Sequence, residues 1–279
     1  MKHLPSNFRY SFSKLAGYIE CPRSFYLTYI ENDREEPLGN YYSEYGSFLH
    51  LLLQQWAEDY LPAICLADAW RDGYEDNVKL PPPPYPKGQA EKNYQLAIDY
   101  LDNFTGFGDD WEVLSVERKF VIRLNDSYDV SGIADLVLRN TKTGDIHIID
   151  HKTKSASSMS KEISLYRKQL YLYAQWCFEE YHQYPKLLSF NMIKTQEMIT
   201  EEFSEEELNK SIKWFIDTIH QIEESDVFEM WDCKINKFFC SNLCDVFQSC
   251  PEWLEVKQAD YEKWLAKKKA EEDAALGYS

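Results

Sequence analysis

Three strand-like runs, two of them ending in chemistry, constrain this chain more than any other feature. Trp111 to Phe120 alternates apolar with polar residues, Tyr128 to Leu138 is a second such run with Gly132 inside it, and Asp145 to Lys152 is rich in isoleucine before turning polar. Period-two alternation marks a pleated strand, so these runs predict a meander with a turn near Thr143-Gly144. The meander carries Gly132-Ile-Ala-Asp135 and Asp150-His-Lys152, which place two acids and a lysine on neighbouring strands. Residues two apart in a strand share a face, so Asp150 and Lys152 project together. His151 then faces away and offers only its backbone carbonyl.

These residue types suit one kind of reaction. Hard cations such as Mg2+ or Mn2+ prefer carboxylate oxygens, polarise a phosphoryl oxygen and lower the pKa of a bound water. Asp135 and Asp150 would supply the oxygens. A lysine beside the attacking water helps generate hydroxide and offsets charge building on phosphorus, the role for which Lys152 is placed. An isolated D-x-K is short and is more often a surface ion pair, so the flanking strands carry the weight here. Glu117, in Val116-Glu-Arg-Lys-Phe120, reads as a half-exposed strand glutamate and only a secondary candidate.

Two further motifs bracket the meander. Gly46-Ser-Phe-Leu-His50 opens an apolar helix running to Tyr60, and Gln169-Leu-Tyr-Leu-Tyr173 falls in a helix expected from about Ser160 to Tyr181. Their spacing of four puts Gln169 and Tyr173 on one helix face. In this order the motifs resemble the PD-(D/E)XK nuclease superfamily, specifically its RecB/AddB-type exonuclease branch. The resemblance implies an α/β (α+β) restriction-endonuclease-like core, a central mixed sheet flanked by helices, built as helix, three strands, helix, strand. It also implies that His50, Asp135, Asp150 and the His151 carbonyl hold Mg2+ or Mn2+, that Lys152 is catalytic, and that Gln169 and Tyr173 orient the lysine and the DNA backbone. The activity implied is a metal-dependent deoxyribonuclease acting at DNA ends, in recombination, repair or foreign-DNA processing, with endonuclease activity left open. The competing class is a non-catalytic DNA-end-binding or partner-binding module. Such a module has no chemical need for His50, Asp135, Asp150, Lys152 and Gln169 together.

Cysteine gives a second signal. Cys21 stands near the start, Cys65 and Cys177 lie in helical stretches, and Cys233, Cys240, Cys244 and Cys250 crowd a short C-terminal segment. The opening residues lack the apolar core of a secretory signal, and no apolar run is long enough to span a membrane. A reducing, cytoplasmic setting is therefore expected, in a bacterial or phage-infected cell by analogy, and with it metal ligation in place of disulfides. Ser11-Phe-Ser-Lys-Leu15 followed by Cys21-Pro-Arg-Ser-Phe25-Tyr26 resembles the N-terminal element of iron-sulfur AddB-type nucleases. That implies a [4Fe-4S] cluster on Cys21, Cys240, Cys244 and Cys250. The Cys240 to Cys244 gap is one residue wider than the family pattern, and Cys233 is the substitute for Cys240. Zinc is the alternative metal, since four thiolates also suit a closed tetrahedral site, but one distant and three close ligands favour iron-sulfur by the family comparison. Either centre would clasp both chain ends over the core, and its loss would destabilise the fold.

At 279 residues and 44% hydrophobic content the chain can bury a sizeable core as one elaborated domain. Its expected parts are an N-terminal helical region over 1–107 that includes His50, the catalytic sheet and Gln/Tyr helix over 108–203, and C-terminal helices with the cysteines over 204–279. Pro81 to Pro86 reads as a stiff surface connection before a helix from about Ala90 to Phe107. Glu197 to Phe203 reads as a strand, Ser204 to Glu224 as an acidic helix with a Ser204/Glu207 capping box, and Lys257 to Ala275 as a peripheral charged helix. A net charge of -17 opposes simple nucleic-acid binding, because DNA association relies on Lys and Arg displacing counterions. Positive charge must then be local: Arg23, Lys154, Arg167 and Lys168 are the candidate DNA contacts, with Lys119, Arg123 and Lys161 behind them. No G-x-x-x-x-G-K-(S/T) loop occurs, so any motor is a separate chain, and a recombinase, single-strand-binding protein or helicase is the kind of partner implied.

Overall fold

The computed structural model describes residues 4, 8–84, 86–225 and 230–275. The chain divides into two compact units, one of residues 9–16 with 39–224 and one of residues 1–8, 17–38 and 225–279. The first holds a six-stranded mixed sheet: β1 (Tyr10–Ser11), β2 (Trp111–Leu124), β3 (Tyr128–Asn140), β4 (Ile146–Lys152), β5 (Leu187–Met192) and β6 (Glu197–Glu202). The three expected strands are β2, β3 and β4. Strand β2 continues beyond Phe120 because Ile122 and Leu124 keep the alternation and are buried. The turn before β4 closes on Gly144, whose φ of 75° suits a residue without a side chain.

The sheet order is β1-β3-β4-β5-β6, with β2 also on β3. Strand β2 runs antiparallel along one edge of β3 from Trp111↔Asn140 to Leu124↔Tyr128. Two strands share the opposite edge. β1 lies parallel there at Tyr10↔Val130 and Ser11↔Ser131, while antiparallel β4 begins its pairing only at Leu136↔Ile149. Strand β5 is parallel to β4 and returns as antiparallel β6. Parallel neighbours need a long crossover, which the helix α6 (Ala156–Tyr181) provides.

Helices α3 (Tyr41–Ala57), α4 (Leu66–Asn77) and α5 (Gln89–Asp102) share one core, with Tyr45, Leu49 and Leu53 against Leu66, Trp70 and Leu101. Helix α3 starts at Tyr41, ahead of the expected Gly46, because the Asn40 side chain accepts the Tyr42 and Ser43 N–H groups while Ser43 Oγ accepts the Asn40 N–H. Trp56 and Ala57 then pack on Leu136, Leu138 and Ile149 of the sheet. Helix α6 touches β2, β3, β4 and β5 and also α7 (Glu205–Glu223), whose cap Ser204 accepts the Glu207 N–H. No described helix is long and apolar enough to cross a membrane.

Helix α1 (Phe12–Glu20) follows β1. The second unit contains α2 (Pro22–Phe25), a π-helical turn at Tyr26–Glu31, α8 (Lys237–Asn242) and α9 (Pro251–Ala275). Its centre is Trp231, 1% exposed, stacked on Phe25 at 5.9 Å and met edge-on by Tyr18. The Arg23 side chain donates to the Trp231 carbonyl at 2.8 Å and pairs with Glu252 at 2.9 Å.

Candidate active site

Divergence of two strands creates the site. The β3–β4 ladder stops at Leu136↔Ile149, so the next residues, Asp135 and Asp150, stand where the strands part. The His151 N–H, released from the ladder, donates instead to Asp135 Oδ2 at 2.7 Å. Alternation along β4 sends Ile149 and His151 to one face and Asp150 and Lys152 to the other. The His151 ring accordingly meets Phe107 at 6.2 Å and accepts from Asn191 Nδ2 at 2.9 Å. Burial lowers the His151 imidazole well below its ordinary range, in keeping with Nδ1 as an acceptor.

Lys152 is held by partners from two elements. Its Nζ lies 2.6 Å from Asp150 Oδ2 and donates to Gln169 Oε1 at 2.8 Å. The amide orientation is set in turn, because Gln169 Nε2 donates to the Tyr173 hydroxyl at 2.6 Å. Tyr173 is buried under the edge of Phe120, whose ring stacks on Trp176 at 5.0 Å. Gly132 makes room for that ring, since a Cβ there would stand 2.4 Å from Phe120 Cζ. The glycine of G-x-x-D thus acts through Phe120, Tyr173 and Gln169 on the lysine.

His50 comes from α3. Its Nε2 is 3.1 Å from the His151 carbonyl, and its Nδ1 is 3.3 Å from Glu117 Oε1 and 3.6 Å from Asp135 Oδ2. Carbonyl and carboxylate oxygens accept, so the surroundings of the ring favour a proton on each nitrogen, one of which a metal bound at His50 would displace. Burial opposes the charged form, but Asp135 and Glu117 outweigh it and raise the ring to about 9. Burial also raises the Asp135 carboxyl to about 7 against the pull of His50, and Asp150 adds to the rise. Acids crowded at one buried point favour a cation among them.

The donor set fits a divalent metal. His50, Glu117 and Asp135 offer ligand atoms within 4.8 Å of one another, and Asp150 is 1% exposed with Oδ1 lacking a hydrogen-bond partner among the described residues. A buried carboxylate oxygen without a donor is strongly unfavourable unless a cation meets it. Glu117, set aside in the sequence, belongs to this group. Its φ of 44° lies in the left-handed region, an uncommon conformation inside a strand, and there the side chain meets His50.

A cleft of about 620 Å³ opens over these groups, lined by His50, Glu117, Asp135, Asp150, Lys152, Gln169, Lys154, Tyr42 and Tyr166 among others. Tyr166 has the Lys152 and Lys154 ammoniums over its ring at 5.0 and 4.5 Å. Lys154, also paired with Glu162, is the one expected DNA contact among the residues lining the cleft. Arg167 is paired with Glu201 at 2.7 Å, and Lys168 lies over Trp214 at 5.8 Å, with burial lowering its ammonium. Arg23, the remaining expected contact, is 6% exposed, with Nε donating to the Trp231 carbonyl and Nη2 paired with Glu252.

Five cysteines gather in the second unit. Cys233 Sγ is 3.8 Å from Cys250 Sγ, and Cys21 lies near enough to raise the Cys233 thiol after burial and Cys250 have done so. Cys244 Sγ stands 3.5 Å from Ser24 Oγ, and its thiol is raised by burial and, less strongly, by Cys240. The structure therefore sets Cys233 beside Cys250. Cys177 is elsewhere, bonded to the Gln183 carbonyl.

A model of the PD-(D/E)XK nuclease superfamily matches residues 9–251. No curated protein matches at a significant level. Among solved structures the chain is similar to one described as "Crystal structure of SSO0001", with 18% identity, 90% of this chain and 89% of that chain covered, and a TM-score of 0.36.

Proposed function

The chain belongs to the PD-(D/E)XK nuclease superfamily, whose model spans most of it, and from that premise we propose that it is a metal-dependent DNA exonuclease with Asp135, Asp150 and Lys152 at its hydrolytic centre. The observation that carries this is the buried Asp150 carboxylate, with one oxygen on Lys152 and the other unpartnered among the described residues, at the floor of an open cleft. A divalent cation, Mg2+ or Mn2+, held by His50, Asp135, Asp150 and the His151 carbonyl with Glu117 alongside, would polarise the phosphoryl group and make water a stronger nucleophile. The chain's own groups supply the rest. The Lys152 ammonium donates one proton to Gln169 and lies in ion-pair contact with Asp150, and its positive charge would offset the charge growing on phosphorus. Gln169 and Tyr173 keep that ammonium from swinging away. Lys154 and Tyr166 offer a phosphate contact and a stacking face at the cleft wall.

Action at DNA ends, with recombination, repair or foreign-DNA processing as the setting, rests on the RecB/AddB-like motif set. Purified protein with Mn2+ should degrade end-labelled linear DNA and spare covalently closed circles. Equal loss of both substrates would make it an endonuclease.

The cysteine-bearing unit, in the same reading, holds a structural metal centre. The N-terminal motif favours a [4Fe-4S] cluster on Cys21, Cys244, Cys250 and either Cys240 or Cys233. The 3.8 Å Cys233–Cys250 separation favours zinc instead, since bonds of about 2.3 Å in a tetrahedron give sulfur spacings of that size. Visible absorbance of anaerobically purified protein, lost in Cys250→Ser, identifies the cluster; colourless protein with one zinc per chain identifies zinc.

A further inference from the structure

The family match ends at Pro251, the first residue of α9, so the body of that helix lies outside what the superfamily accounts for. Every residue from Lys257 to Lys269 is exposed. That segment has five lysines against Asp260 and Glu262, so positive charge is concentrated there within a helix whose ends hold the other five of its seven acids. Asp260 is itself engaged by Lys237 at 2.9 Å.

With 3.6 residues per turn, Leu254, Lys257, Tyr261, Trp264, Leu265 and Lys268 fall along one stripe of α9. Tyr261 is 55% exposed and Trp264 54%. Their rings stack at 5.9 Å with 20° between planes, and Lys268 lies over Trp264 at 5.4 Å. Aromatic faces and cations thus share one stripe, a helical turn of about 5.4 Å apart.

That mixture selects the occupant. Pairing with a second copy of α9 would bring Lys257 and Lys268 of both helices into the seam, where like charges oppose association. A bilayer would have to take up the same lysines within the apolar stripe. A strand with phosphates for the lysines and base faces for the rings satisfies both halves. We propose that α9 is a single-strand-binding helix, engaging bases through Tyr261 and Trp264 and phosphates through Lys257 and Lys268. The identity of the polyanion rests on the nuclease reading; the binding requires no catalysis.

The test uses the whole chain carrying Lys152→Ala, so that no cleavage intervenes, and reads the anisotropy of a labelled oligothymidylate across a salt series. Tyr261→Ala with Trp264→Ala should weaken binding about ten-fold or more while leaving the salt dependence in place. Lys257→Gln with Lys268→Gln should flatten the slope of log affinity against log salt by about 1.4, or ~0.7 for each phosphate no longer neutralised. Both pairs should melt at the parent temperature, since the four side chains are exposed. Unchanged affinity and slope in both pairs overturn the proposal. So does intact DNA affinity accompanied by loss of a dimer in sedimentation, or by loss of binding to anionic vesicles, which would give the stripe to a second copy or to a membrane. A failure of the nuclease reading shows in cleavage assays and not in these affinities.

Discussion

At the scale of single residues, the site depends on charges placed where water cannot screen them. Glu117 reaches His50 only through a left-handed backbone, a conformation that costs on the order of 1–3 kcal/mol and persists where surrounding structure enforces it. Glu117→Gln keeps the shape and removes the charge, so Mn2+-supported cleavage should fall about ten-fold or more, as for other groups that orient metal ligands. Cleavage at the parent rate over a Mn2+ titration would return Glu117 to a bystander. His147 tests burial apart from catalysis. It is partly buried, 2.6 Å from Ser189 Oγ, and burial lowers its imidazole from 6.5 to about 4. Between those values the unfolded chain binds a proton there that the folded chain does not, so stability falls as pH drops from 6.5 toward 4 and the effect levels off below. Urea melts should show about 2 kcal/mol lost between pH 7 and pH 5 from this group, and His147→Asn should remove that increment. An unchanged pH slope in the variant would place the acid sensitivity elsewhere. The acids, the lysine and Gln169 were legible in the sequence through the order of motifs that resembles the nuclease superfamily, since spacing along one strand or helix fixes only which of its own side chains share a face. Glu117 was not, because its direction comes from one φ angle, and neither was the burial of Arg23, because a guanidinium reads as surface until its partners fold around it.

At the scale of elements, the glycine of G-x-x-D links sheet to helix. The ring of Phe120 occupies the space where a Gly132 side chain would stand, and it reaches Tyr173 and Trp176 of α6 from there. Gly132→Ala should therefore destabilise by about 1–3 kcal/mol through overpacking, measured by urea denaturation, and Phe120→Leu in the same chain should recover part of the loss. Additive losses in the double variant would separate the glycine from the ring. Strands β2 to β4 were readable from alternation, and α6 from its length and motif. β5 carries the same signal, Leu188-Ser-Phe-Asn-Met192 alternating apolar with polar, but its run is short and its polar Ser189 and Asn191 are buried on partners from other elements, His147 and Thr200 for one and Tyr100 and His151 for the other. β1 is two residues long and has no period to read. It nonetheless bounds the gap on β3 in which Asp135 is unpaired, so the site's opening depends on an element too short for sequence periodicity to find.

At the scale of the whole molecule, the chain divides its candidate metal ligands, carboxylates and thiols, between two units. One holds the acids and Lys152 within residues 39–224, and the other collects cysteines from residues 17–38 and 225–279. Burial raises the thiols of Cys233, Cys244 and Cys250, so without a metal these are neutral groups, and binding one must release protons. Cys250→Ser should lower metal content and thermal stability together, whereas Cys65→Ser should leave the metal content unchanged; equal effects in elemental analysis would dissolve the assignment. The composition spoke correctly for a chain able to bury a large core. Which cysteines meet could not be read from spacing, because the partners of Cys21 are more than two hundred residues away and only folding selects among them. The central claim, that Asp135, Asp150 and Lys152 form a metal-dependent phosphodiesterase, is tested most directly by the rate of linear-DNA cleavage in Mn2+ and in EDTA for the parent chain, Lys152→Ala and Asp150→Asn. The parent should cleave in Mn2+ and not in EDTA, with both variants slower by about a hundred-fold or more. Comparable rates in all three chains, or cleavage that survives EDTA, would contradict it.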